Sequence, residues 1–141
     1  MLKKTITYTD YNNEERTEDF YFNFTEVELT ELQTSVNGGY AEMIQKMAKS
    51  KDINSLITIL KDLITKSYGV KSEDGRRFIK KPELTEEFVE TPAFSTLYME
   101  LATDEKKMAE FINKIIPANL ASRVEKAKIE NITANNKPSE T

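Results

Sequence analysis

The chain has 141 residues, of which 38% are hydrophobic and 31% charged, and this size suits one domain around one core. Its formal net charge of −4 argues against a nucleic-acid binder, because such proteins carry a basic excess that displaces counterions from phosphates. The sequence has no histidine and no cysteine, which excludes the commonest general base and thiolate chemistry, so we expect a non-enzymatic protein binder without cofactor or metal.

No segment of the sequence predicts a membrane span or an export signal. Leu2, Lys3 and Lys4 are followed by polar residues, and the longest uncharged apolar stretch, residues 53–60, is far shorter than the ~20 residues that cross a bilayer. We therefore expect a protein of the cytosol with no membrane partner.

Two runs at the N-terminus alternate between apolar and polar residues, which is the period of a half-buried strand. The apolar face of the first run holds Leu2, Ile6 and Tyr8. That of the second run holds Phe20, Phe22 and Phe24. Residues 10–15 between them are rich in Asn and Asp, which favour turns. We predict an antiparallel β-hairpin within residues 1–24 and no strand elsewhere.

The three phenylalanines of the second run form the candidate self-association face. Phe20, Phe22 and Phe24 make an apolar surface larger than a small monomer usually exposes, and a hairpin edge offers unpaired backbone groups to a second copy. We predict a homo-oligomer on this basis. The sequence leaves open whether the face is covered by a neighbouring subunit or by the helices of its own chain.

From Thr25 the apolar period becomes that of amphipathic helices, each with one stripe to bury. The first helix begins at Thr25 or Thr30, a second covers residues 40–48, and a third runs from Asp52 to Gly69 with the most regular pattern. A short fourth helix ends near Thr91.

A fifth helix begins at Pro92, and Thr103 or Asp104 caps a sixth that Pro117 interrupts. A weaker segment follows over 119–129. The whole predicts an α+β fold, mostly α, with the hairpin followed by a bundle of about five or six short helices. We expect a single domain over 1–132, with residues 25–132 helical and residues 133–141 a disordered tail.

The densest polar cluster is Ser72-Glu73-Asp74-Gly75-Arg76-Arg77-Phe78-Ile79-Lys80-Lys81. It fits neither a calcium loop, because Val70 would be the first ligand, nor a phosphate loop, because no glycine directly precedes Lys71. A solvated face or ion-pair network is the favoured interpretation. The other is a conformational role, in which Asp74 and Gly75 set a turn, Arg76 and Arg77 pair with carboxylates, and Phe78 anchors the loop on the core.

Several segments together resemble the tail assembly chaperones of long, non-contractile-tailed phages that infect Gram-positive bacteria. They are Ser67-Tyr68-Gly69, the run Ser72 to Lys80, Glu86-Glu87-Phe88, Thr91-Pro92-Ala93-Phe94-Ser95, Leu97 to Asp104, and Phe111-Ile112-Asn113. The close match covers about a third of the chain. The resemblance marks Asp74, Gly75, Arg76, Arg77 and Phe78 as a signature loop whose role it does not assign.

The resemblance implies a small, mostly helical, ATP-independent chaperone without catalytic residues. Such a protein binds the tape measure protein and keeps it soluble while the tail tube polymerises around it. It acts in the host cytoplasm and is absent from the mature virion. A longer, frameshifted form would recruit the tail tube protein. The alternative function is a structural tail or head-tail connector protein that the virion retains.

Overall fold

The structure is a computed structural model that describes residues 1–34, 39 and 53–115. Its elements are β1 (Leu2–Thr9), β2 (Glu15–Phe22), α1 (Glu26–Thr34), α2 (Ile53–Ser67), β3 (Tyr68–Lys71), β4 (Phe78–Ile79), α3 (Pro82–Val89), α4 (Pro92–Ala102) and α5 (Glu105–Ile115). This confirms the predicted α+β, mostly helical fold. The predicted helix over 40–48, the interruption at Pro117, the segment over 119–129 and the tail over 133–141 lie outside the described residues.

The N-terminal hairpin has the predicted strands and turn. β1 and β2 are antiparallel, with Leu2 opposite Phe22 and Thr9 opposite Glu15. The Asp10 carboxylate organises the turn, because it accepts hydrogen bonds from the backbone N–H groups of Asn12 at 2.8 Å and Glu14 at 3.0 Å. This local chemistry fixes the register, and with it the face to which each side chain points.

Two further strands lie outside the hairpin, so the expectation of strands in residues 1–24 alone is wrong. β3 pairs with β2, where Tyr21 lies opposite Gly69, and β4 pairs with β3, so the sheet order is β1-β2-β3-β4. Strands of four and two residues are too short to show an alternating period. The predicted third helix ends at Ser67 and not at Gly69, because Tyr68 and Gly69 belong to β3. The sequence did not show this boundary, since Tyr68 continues the apolar stripe of α2.

The helix starts follow the capping chemistry of the sequence. Thr25, and not Thr30, caps α1: its hydroxyl accepts a hydrogen bond from the Glu28 N–H, while the Glu28 carboxylate accepts one from the Thr25 N–H. At the start of α5 it is Asp104, and not Thr103, that accepts from the first helical N–H groups. Proline occupies the first position of α3 and α4.

The core lies on one face of the sheet, under the helices. α4 contacts β1, α2, α3 and α5, so it is the central helix of this layer. The Phe22 ring lies 5.9 Å from Phe88 and 5.3 Å from Phe111, both centroid to centroid, and Tyr68 stacks on Phe88 at 4.3 Å. One cluster of aromatic rings therefore joins β2, β3, α3 and α5.

The candidate self-association face is covered by the chain itself. Phe22 and Phe24 are 0% and 2% exposed, and Phe20 is partly buried with its ring centroid 5.2 Å from that of Phe88. The interpretation of these three rings as an intersubunit face is therefore wrong, because the helices bury them as core. Self-association itself stays a prediction.

Candidate functional site

Residues 72–77 connect β3 to β4, and we call them the 72–77 loop. The Ser72 N–H donates to the Arg77 carbonyl and the Gly75 N–H to the Ser72 carbonyl, each at 2.9 Å. Gly75 has φ of 74°, a left-handed conformation that glycine adopts without steric cost. The loop is therefore a tight turn whose sequence matches its backbone geometry.

The Asp74 carboxylate stabilises this turn from inside. Its Oδ1 atom accepts hydrogen bonds from the Arg76 N–H at 3.0 Å and the Ser72 hydroxyl at 2.7 Å. These donors, the Arg76 N–H first, hold the pKa of Asp74 below its ordinary value. The structure thus shows the turn that the sequence suggests for Asp74 and Gly75.

Arg76 and Arg77 point their charges to solvent. Both residues are exposed, and within residues 1–34, 39 and 53–115 no carboxylate forms an ion pair with either guanidinium. The predicted pairing of these arginines with carboxylates is thus not seen in the described part of the chain. The loop presents two adjacent cations on a fixed turn.

Phe78 anchors the loop on the sheet instead of the core. A Cβ atom built on Gly69 would lie only 2.6 Å from Cε2 of the Phe78 ring, so the ring occupies the space that a side chain at 69 would need. Phe78 pairs with Lys71, which lies on the same face as Gly69 and opposite to Tyr68. The ring is therefore half-buried on the face that does not bear the helices.

Lys80 connects the end of this hairpin to the start of α1. Its Nζ atom donates to the Asn23 carbonyl at 2.7 Å and to the Glu28 carboxylate at 2.6 Å, and it lies 5.0 Å from the Phe24 ring centroid. We call Lys80, Glu28, Asn23 and Phe24 the Lys80 junction. Sequence reasoning missed it, because Lys80 lies more than fifty positions from the other three; only the Thr25-x-x-Glu28 capping box was visible locally.

The same junction connects β2 to two helices. The Asn23 N–H donates to the Ser67 carbonyl at 2.8 Å, and the Phe24 N–H donates to the Ile115 carbonyl at 3.0 Å. Ser67 is the last residue of α2, and its carbonyl has no partner within that helix. Residues 23 and 24 therefore connect the end of β2 to α2 and to α5.

Burial and the ion pair act together on the two charges of the junction. Desolvation lowers the pKa of Lys80 below its ordinary value, and the hydrogen bond and charge of Glu28 oppose this only in part. For Glu28, desolvation acts upward, but the hydrogen bonds from Lys80 and Thr25 together outweigh it, so the pKa of Glu28 is lowered. Glu28 is thus held as a carboxylate.

The lowered pKa of Glu28 predicts an acid-labile contribution to stability. A carboxyl group with a lower pKa in the folded state stabilises the fold above its unfolded pKa and loses that effect as the pH falls. As the pH drops below about 4.3, the ordinary pKa of glutamate, the wild-type chain should lose an increment of stability that Glu28→Gln lacks. Urea unfolding across pH 3–7 measures it, with Glu31→Gln as control; parallel pH curves for all three proteins would contradict the ion pair.

Large apolar side chains on the outer surface are scattered. In the described residues they are Met1, Tyr11, Val27, Val70 and Met99. Two of them lie on helices: Val27 on α1 is 67% exposed and Met99 on α4 is 54% exposed. Single exposed residues of this kind are normal on a protein surface, and none of them marks a tight binding site.

Two other kinds of site are absent from the described residues. No helix there has the length and apolar character needed to cross a membrane. No group of three or more acidic side chains there is placed to hold a metal ion.

Comparison with known proteins gives one similarity. A family model described as phage tail assembly chaperone matches residues 1–141, which is the whole chain. No curated protein and no solved structure matches the chain significantly.

Proposed function

This chain belongs to the phage tail assembly chaperone family, and from this we propose that it binds the tape measure protein, keeps it soluble and helps the tail tube polymerise around it. The observation that carries the proposal is the match over all 141 residues. Family membership favours a non-enzymatic role in assembly. The proposed partner accounts for the exposed features of the fold: isolated apolar side chains on helices and a turn that presents two arginines.

Binding to the tape measure protein should be weak for each copy. A very long helix with an apolar stripe aggregates unless it is covered, and many removable contacts cover it as well as one tight site. A nanomolar contact, about 12 kcal/mol per copy, would resist removal by the growing tube without an energy source. We propose that the partner helix makes such weak contacts with the exposed side chains of Val27 on α1 and Met99 on α4.

Solubility of the tape measure protein on co-expression tests the proposal. The double variant Val27→Lys/Met99→Lys should reduce the soluble fraction several-fold, because it places charges where an apolar stripe would dock. The control Asn54→Lys/Thr58→Lys, which adds the same charge at two exposed positions of α2, should not. A chain truncated after Ile129 should remain active. A tape measure protein that is equally soluble with and without this chain would refute the assignment.

The place of action is part of the proposal. We propose that the protein works in the host cytoplasm, leaves the tube as it grows, and is absent from the mature virion; a longer frameshifted form would bring tail tube protein to the complex. Mass spectrometry of purified virions should find none of this chain. Many copies per particle would instead indicate a structural tail or connector protein.

A further inference from the structure

β1 lies at the edge of the sheet. The strand order β1-β2-β3-β4 gives β1 one neighbour, β2, along its full length from Leu2 to Thr9. No other described segment pairs with its outer side. An eight-residue edge of this kind offers a row of backbone donors and acceptors to another strand.

The hydrogen bonds at both ends of β2 identify the outward groups of β1. The Asp10 N–H donates to the Glu14 carbonyl, so these two opposite residues form a hydrogen-bonded pair. Such pairs alternate along an antiparallel ladder, so the even-numbered residues of β1 direct their backbone groups toward β2. The Asn23 N–H donates to the Ser67 carbonyl, which places the odd-numbered groups of β2 on the side away from β1. The backbone groups on the free edge of β1 therefore belong to Lys3, Thr5, Thr7 and Thr9.

We propose that a second copy of this chain pairs its β1 with this edge, antiparallel and across a two-fold axis, so that the two sheets become one. The inference does not depend on the tape measure protein. The two-fold axis stands perpendicular to the sheet, so both helical layers lie on the same face and both outer faces remain continuous.

The edge is complementary to itself in one register. For the two β1 strands to form hydrogen bonds, residues whose backbone groups point outward must lie opposite each other. If Thr5 lies opposite Thr7 of the second copy, Lys3 then lies opposite Thr9. All four outward residues are then paired, threonine meets threonine, and no lysine faces a lysine. Centring the axis on Thr5 would pair only three of them.

The inward-pointing lysine of this edge has a partner within the chain. Such a lysine on an edge strand discourages pairing, and Lys4 lies on the helix-bearing face of β1. Its Nζ atom lies 3.3 Å from the Glu100 carboxylate of α4, which also lies 3.6 Å from the Lys107 Nζ atom. The ion pair therefore offsets part of the Lys4 charge at the edge. Because no carboxylate projects from β1, the self-complementary threonine row favours a second copy over an unrelated basic strand.

Light scattering on the full chain over a concentration series tests the pairing. A strand contact alone buries less than the roughly 1,200 Å² of a standard interface, so the dimer should be weak and concentration-dependent. The wild-type mass should rise from 16.2 kDa toward twice that value. Thr7→Pro removes an outward N–H and should hold the mass at 16.2 kDa.

Thr17→Pro is the matched control. Thr17 lies opposite Thr7, and its N–H points to the far side of β2, where β3 reaches only Tyr21 and Phe22. It should dimerise as the wild type does, and circular dichroism should show both proline variants folded. A wild-type chain that stays monomeric throughout, or a folded Thr7→Pro that still dimerises, overturns the proposal.

Cross-linking tests the register and covers the case in which Thr7→Pro fails to fold. The native chain has no cysteine, so Thr5→Cys/Thr7→Cys introduces the only thiols. On mild oxidation the double variant should form a covalent dimer, and Thr5→Cys alone should do so several-fold less, because its thiols would lie diagonally. Equal cross-linking by the two variants, or none by the double variant, overturns the proposed pairing.

Discussion

Replacing Phe22 with alanine is expected to lower the free energy of unfolding by about 3–5 kcal/mol, the usual cost of truncating a buried phenylalanine. Phe22 is 0% exposed and its ring contacts Tyr68, Phe88 and Phe111, which belong to three different elements. The cavity would lie where strand and helices meet, so neighbouring side chains can fill it only by moving the backbone. Urea unfolding followed by circular dichroism measures the change.

The neighbouring Tyr21→Ala is the control, since that side chain is half-buried on the opposite face of β2 and should cost about 1 kcal/mol or less. If Phe22→Ala does not fold, Phe22→Leu gives a smaller loss of the same origin. A Phe22→Ala chain that keeps its stability but changes its oligomeric state would contradict the core assignment and restore the intersubunit interpretation.

Replacing Gly69 with alanine is expected to cost about 1–3 kcal/mol, which is typical of overpacking. The new Cβ would lie 2.6–2.9 Å from three atoms of the Phe78 ring, so the ring must leave its position on the sheet. Displacing Phe78 also removes the anchor of the 72–77 loop, whose amide signals should broaden or shift in NMR spectra. Thermal unfolding gives the stability change.

A double-mutant cycle isolates this contact. With Phe78→Ala in the background, Gly69→Ala should become nearly neutral, because the alanine then has space. Gly75→Ala serves as a comparison of a different kind: nothing lies within 4 Å of its Cβ, so its cost would come only from the backbone conformation. Additive effects of Gly69→Ala and Phe78→Ala would contradict the close approach of ring and glycine.

The sequence was sufficient for features that depend on neighbouring residues. The alternation around Phe20, Phe22 and Phe24 predicted a strand with one apolar face, and that is how β2 lies. The start of α4 was predictable because Pro92 fixes its own φ at a helical value. The turn at Asp74 was predictable because its carboxylate accepts a hydrogen bond from the N–H group two residues later. The resemblance carried by these segments agrees with the family match.

The candidate site was only partly predictable. Asp74 and Gly75 act locally, and the sequence indicated their turn. The position of Phe78 depends on Gly69, nine residues earlier, and on a strand pairing too short to leave a periodic signal. The predicted pairing of Arg76 and Arg77 with carboxylates depends on where distant side chains project, and no ion pair within the described residues involves either arginine.

The sequence by itself therefore determined the N-terminal hairpin and the helices of the described residues, because each rests on contacts within a few residues. The tertiary structure alone decided what covers the phenylalanines, what Lys80 contacts and which strand lies at the edge of the described sheet. A pattern shows that a face is apolar, but only the path of the chain shows whether Phe88 and Phe111 or a second subunit meets it. Whether a side chain is buried depends on residues that are distant along the chain, and a local hydrophobic period contains no information about them.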